Sequence, residues 1–330
     1  MVENGEGSYS SSNTEGTMTY AAFTGNAFGA DASTLSRSGI RFVRVNPNES
    51  MSTYYTQISG LTGNKNDWNF GDGSDVVVIN LGTNDNGATD ANGNRVSDSY
   101  VTSEATYLLN LVRQKNPNAI IVWAYGIMGN GFSEAIQTAI ANVNNAGDRN
   151  VYYLSLANAN KSKEGIAVGG HPTITTGINR SFDLTEFIAE KTGWNYNYDS
   201  QLATQLLLVS GYTDDVLKQY TKDSVYAFLK AKNIANDLKN SGNATAEKSA
   251  IQKLQAARTG LKKAMGNGDA YVPGESYEPG QVTILNRTGW IVTASHGESG
   301  LRNAIDGDVG TRWSSLGAQQ SGMWFQIDMR

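Results

Sequence analysis

The sequence is defined first by what is scarce in it. Its 330 residues include no cysteine, which excludes disulfides, thiolate catalysis and Cys-based zinc sites. Only two histidines exist, His171 and His296, so any imidazole chemistry falls on one of them. The apolar stretches, such as those around Val76–Ile79 and Ala119–Tyr125, are strand-sized and far short of the roughly 20 residues that span a bilayer, so no membrane span is expected. A formal charge of −5 gives nucleic acid no overall electrostatic support as a partner. Charged residues make up 17% and prolines number 5, which excludes a charge-driven disordered chain or a collagen-like repeat.

What is present reads as three textures. Up to about residue 205, short β-branched or aromatic runs alternate with amphipathic stretches. Thr34–Phe42, Asp75–Leu81, Ala119–Tyr125 and Val151–Leu156 read as buried strands. Thr17–Phe28, Ser103–Lys115, Phe132–Val143 and Leu184–Lys191 read as helices. That alternation predicts an α/β domain with a parallel sheet covered on both faces. Residues 211–266 read as a small helical module, with ten Lys or Arg against five Asp or Glu up to Met265. Thr245 is expected to cap its second helix. Residues 267–280 are rich in Gly and Pro and read as a linker. In residues 281–330 alternation returns, as in the runs at Val282–Ser295 and Met323–Met329, which predicts antiparallel β structure.

In open α/β sheets ligands bind beyond the carboxyl ends of the strands. Gly82–Thr83–Asn84–Asp85 follows the most apolar strand, and His171–Pro172 lies between the last strand and a helix. Taken singly, Asn84 and Asp85 read equally well as turn caps, and His171 as a loop histidine. Taken in order, Ser36–Ile40, then VVINLGTND, then Tyr125–Met128, then Gly169–Pro172 resemble the SGNH hydrolase superfamily, and within it the carbohydrate esterases that deacetylate plant polysaccharides.

The resemblance implies a three-layer, flavodoxin-like domain over residues 1–205 in which a Ser attacks the ester and a His takes its proton. It assigns His171 as the base, Asn84 as side-chain oxyanion donor and Gly39 as backbone oxyanion donor, with no catalytic cofactor. Two departures stand out. The nucleophile of such enzymes sits in a Gly-Asp-Ser block ending the first strand, and no such block is present. Gly71–Asp72–Gly73–Ser74 precedes a strand instead of ending one, and Ser8, Ser10, Ser11 and Ser12 follow no strand. The position three before His171, usually Asp, is Val168, which fits relatives that work with a Ser–His dyad. The expectation is a domain missing its first strand, with a gapped or rearranged sheet, and a chain nearly inactive as it stands.

Residues 220–261 resemble a FIVAR-type helical repeat, implying a spacer or a glycan-contacting basic face. Gly289–Asp328, with Trp-x-x-Thr-Ala-Ser and then Asp306–Gly307–Asp308 before Thr311–Arg312–Trp313, resembles the start of a coagulation factor 5/8 type C domain, a discoidin-like sandwich that is incomplete here. The resemblance implies carbohydrate binding and, in a complete domain, a structural Ca²⁺, toward which Asp306, Asp308 and Thr311 would supply three of the six to eight oxygens needed. Trp313 and Trp324 are expected in the sandwich core, and His296 in a loop. The implied whole is a fragment of a secreted or cell-surface bacterial esterase acting on acetylated polysaccharide or another glycan. The competing reading is a non-catalytic adhesin or scaffold with a degenerate SGNH-like domain. Oligomeric state is not legible in the sequence.

Overall fold

A computed structural model describes residues 15–330, apart from 47–48, 59–65, 91, 267, 276–286, 288, 298, 307–309, 319 and 329–330. The chain divides into two compact units, residues 1–275 and 276–330.

In the first unit the chain forms α1 (Tyr20–Phe28), the single turn α2 (Met51–Tyr54), β1 (Val76–Ile79), α3 (Asp98–Lys115), β2 (Ile120–Tyr125), α4 (Ser133–Asn145) and β3 (Val151–Ser155). It continues with the short α5 (Lys161–Glu164), α6 (Ile174–Thr192), α7 (Asp199–Leu208), the short α8 (Asp214–Leu217), α9 (Lys222–Asp237) and α10 (Ala244–Thr259). The strands form a parallel sheet in the order β1-β2-β3, with Val76 opposite Ile120 and Ile121 opposite Val151.

Pleat alternation makes this sheet the middle of three layers. Ile121, Trp123 and Tyr125 point to one face, where they join Leu108, Leu109, Val112, Ile136 and Ile140 of α3 and α4. Val122 and Ala124 point to the other, where they meet Leu184 and Ile188 of α6, with Tyr20 and Phe28 of α1 beside them. Burial on both faces accounts for continuous apolar strands without a polar-out pattern. Local chemistry sets the helix starts. The Ser97 hydroxyl accepts the Tyr100 amide at the head of α3, and Asp98 faces the helix dipole there, with Arg113 and Lys115 at the far end.

A third cluster joins the helices. Phe23 and Ala27 of α1 and Ile178 and Phe182 of α6 pack with Leu202 of α7, Val225 and Phe228 of α9, and Ile251 and Leu254 of α10. The helical pair read from sequence as beginning at residue 211 therefore shares a core with the sheet domain's own helices. The segment read as a linker also differs. Tyr271 is buried in this cluster, its amide donates to Tyr220 O, and Lys222 N donates to Asp269 O.

Three expectations are corrected. Thr34–Phe42 is no strand. Residues 30–40 are irregular, and Arg41 makes only an isolated bridge with Ser50. Two causes combine: Gly39 takes φ +72, and the Phe42 and Val43 amides that a ladder would use donate to the distant Asp85 carboxylate. The helix after His171 begins ten residues earlier than read, at Ile174, capped by the Thr173 hydroxyl. Helix α10 is capped by Asn243, whose side chain accepts the Ala246 amide, and not by Thr245.

In the second unit β4 (Ile291–Ala294) pairs antiparallel with β5 (Phe325–Asp328). Trp313 stacks at 4.6 Å on Phe325 and donates its indole N–H to Gly297 O at 2.7 Å. Trp324, expected in a core, is 52% exposed.

Candidate active site

The loops at the carboxyl ends of the parallel strands carry Asn84 and His171, and they are fastened to one another and to the turn containing Gly39. Asn84 Nδ2 donates to Ile40 O at 3.2 Å, which ties the loop after β1 to the turn containing Gly39. Arg41 clamps the same pair from outside, its guanidinium donating to Asn84 O at 3.0 Å and Gly87 O at 3.3 Å. From inside, fully buried Asp85 accepts Phe42 N at 3.1 Å and Val43 N at 2.9 Å. The structure thus brings Gly39 and Asn84 into one assembly. The Asn84 amide has a second N–H, and the residue is exposed.

The neighbouring loops continue the series. Gly82 takes φ +129, and a Cβ there would stand 2.8 Å from the Tyr125 ring beneath it. Gly126, directly after β2, is more constrained still, with φ +146 and an added Cβ only 1.9 Å from Leu156 O. Asn158 Oδ1 then accepts Gly129 N at 3.1 Å, and Ala159 N donates to Ile127 O at 3.0 Å, joining the loops after β2 and β3.

His171 stands on the loop after β3. Buried Glu164 organises that loop, accepting Asn160 N at 2.7 Å, Asn179 Nδ2 at 2.7 Å and the Arg180 guanidinium at 2.9 Å. Its backbone carbonyl accepts the hydroxyl of Thr173, the residue that caps α6, at 2.6 Å. The imidazole itself is exposed, and it lies beside Gly169, where a Cβ would come within 3.4 Å of Cδ2. Among the described residues no hydrogen bond links it to Asn84 or Gly39. Val168, three residues earlier, has no group that could orient it. Ser8, Ser10, Ser11 and Ser12 lie outside the described residues.

Sequence reasoning missed Glu164 and Arg180, which look like surface charges until the fold closes over them. It read Asp85 as a turn cap and did not see that its acceptors hold another loop. Burial pushes the Asp85 carboxyl up to about 6 from 3.8, opposed by the two amide donors and Arg41.

Of the oxygens expected to face a cation in the second unit, Thr311 Oγ1 donates to Asp306 Oδ2 at 2.7 Å, and Asp308 lies outside the described residues. Among the described residues these two oxygens already satisfy each other. His296 is an exposed loop residue whose Nδ1 lies 3.0 Å from Ser295 Oγ.

No protein-family model matches the chain. A cellulase/esterase from Acetivibrio thermocellus is 29% identical over 198 residues, which is 57% of this chain and 23% of that protein. A family two carbohydrate esterase from Clostridium thermocellum, solved in complex with cellohexaose, superposes with a TM-score of 0.52 at 28% identity, covering 58% of this chain and 60% of that one. An acetyl xylan esterase from the rumen bacterium Butyrivibrio proteoclasticus shares the fold, with a TM-score of 0.50 at 24% identity over 58% of this chain and 60% of that one. The chain therefore spans less than a quarter of the curated relative and three fifths of the solved ones. Its α/β unit, with a parallel sheet between helical layers, is a flavodoxin-like fold similar to that of family two carbohydrate esterases.

Proposed function

We propose that the first unit is a carbohydrate esterase domain that removes acetyl groups from polysaccharide by acyl transfer to a serine. The observation that carries this reading is the joining of the Gly39 turn to the Asn84 loop, at the same sheet end as His171, on a fold similar to esterases. A tetrahedral intermediate concentrates charge on one oxygen, and two preorganised donors from linked loops suit that charge. Asn84 offers its second N–H, and Gly39 its backbone N–H. His171 takes the serine proton and returns it to the departing sugar oxygen. With Val168 where a carboxylate would stand, the base works without an acidic partner.

The 330 residues contain no Gly-Asp-Ser block at a strand end, and on this reading the chain by itself turns esters over slowly. The same lack favours the second reading, a non-catalytic surface adhesin. The helical pair as a FIVAR-like spacer, the second unit as a discoidin-like glycan module and a secreted or cell-surface location belong to the first proposal as its setting.

The test is hydrolysis of 4-nitrophenyl acetate by the 330-residue chain and by the full product of its gene. The chain alone is expected near background, because loss of a serine nucleophile costs about 10⁶-fold. A gene product carrying a serine at the end of a preceding strand is expected to turn over, to lose activity on His171→Ala, and to lose about 10²- to 10³-fold in kcat with little change in KM on Asn84→Ala. Another residue at the serine position would favour the adhesin. Saturable turnover by the chain alone would refute the missing nucleophile.

A further inference from the structure

A cleft of about 310 Å³ opens between the end of α6, the segment after it and the first turns of α10, lined among others by Glu186, Tyr196, Tyr198, Lys248, Ser249 and Gln252. That volume matches the lower end of small-molecule sites, roughly 300 Å³. Helix α6 starts beside His171, and Glu186 lies about 18 Å further along it at 1.5 Å per residue, so the cleft is separate from the catalytic loops.

Its chemistry selects a class of ligand. Lys248 Nζ lies 2.6 Å from Glu186 Oε1, and the Tyr198 hydroxyl donates to the same carboxylate at 3.2 Å. The two charges neutralise each other, so the cleft offers neither an anion nor a cation an uncompensated partner. What remains is an aromatic wall with neutral donors and acceptors. Tyr196 is half-buried, held edge-on to Phe28 at 6.0 Å and tilted against Tyr198 at 5.4 Å. Because its ring is already fixed, a ligand stacking there pays little ordering entropy. Ser249 and Gln252, which carry a hydroxyl and an amide, also line the cleft, on successive turns of α10.

We propose that this cleft binds a neutral sugar ring, its C–H face on Tyr196 and its hydroxyls on Gln252 and Ser249. The ring is either a free monosaccharide or one unit of a polysaccharide chain. The assignment does not depend on the esterase reading, since it concerns binding alone.

Isothermal titration of the 330-residue protein with glucose, cellohexaose and xylohexaose tests it, using the parent, Tyr196→Ala, Gln252→Ala and His171→Ala. Binding of at least one sugar is expected, weakened about tenfold or more by Tyr196→Ala and by Gln252→Ala, and retained in His171→Ala. Preference for a hexaose over glucose assigns the cleft to a polysaccharide chain, and equal binding to a free sugar. Should Tyr196→Ala unfold, Gln252→Ala decides, because its exposed side chain can be removed without disturbing the core. Absence of binding to all three sugars overturns the proposal, as does Gln252→Ala binding like the parent or loss of binding in His171→Ala.

Discussion

Asp85 shows how one side chain serves structure at a cost. Its carboxylate holds the Phe42 and Val43 amides, yet its other oxygen, Oδ2, is buried with no partner among the described residues. Burial therefore outweighs the two donors, and its pKa in the folded state rises to about 6. A raised carboxyl favours the folded state below the unfolded value, about 4, and that stabilisation is lost as pH rises through about 6. The penalty at neutral pH is on the order of 3 kcal/mol. Asp85→Asn keeps one oxygen for both amides and removes the charge. The melting temperature of the variant relative to the parent is expected to rise between pH 4 and pH 7, and parallel curves over that range would remove the argument.

At the scale of elements, β1, β2 and β3 were legible because burial on both faces leaves an uninterrupted apolar run that nothing else in the chain imitates. Thr34–Phe42 was not, since its apolar residues answer to a carboxylate over 40 positions away and not to a neighbouring strand. The start of α6 was missed for a related reason. Its first turns, Ile174 to Ser181, mix Thr, Gly and Asn with apolar residues, and they are buried only because α1 and the later helices cover them. The device that holds the His171 loop was not legible either. Glu164 and Arg180 pair at 2.9 Å, both nearly buried, and no local pattern announces the pairing. Removing Glu164 leaves the Arg180 guanidinium only the half-exposed Asp183 carboxylate, at 3.3 Å, and breaking a buried pair in this way typically costs about 3–5 kcal/mol. Glu164→Ala is expected to lose that much in urea unfolding and to speed amide exchange across residues 165–173. A loss below about 1 kcal/mol would mean that the loop is held by its backbone.

For the whole molecule, the decisive fact is that α1 and α6 each serve two cores. Helix α6 presents Leu184 and Ile188 to the sheet and Ile178 and Phe182 to the later helices. Sequence texture separates the helical pair from the sheet domain because composition changes at residue 211, but composition says nothing about which surface a helix finds. One consequence is cooperativity across that change. Leu254→Ala, a buried deletion in α10, should cost about 2–5 kcal/mol and lower the calorimetric transition of the sheet domain, with faster exchange at the β2 amides. The transition of residues 276–330, a separate unit, should not move. If β2 exchange is unaffected, the helical pair unfolds on its own.

The close approach at Gly126 bears on the history open to this sequence. A methyl group there would overlap a main-chain oxygen, and that oxygen sits on backbone that no side-chain rotation can shift aside. Descendants can exchange the exposed residues of the loops around it, but they inherit a fixed glycine at the bend after β2. Drift at that position is barred by geometry, whatever chemistry the surrounding loops carry.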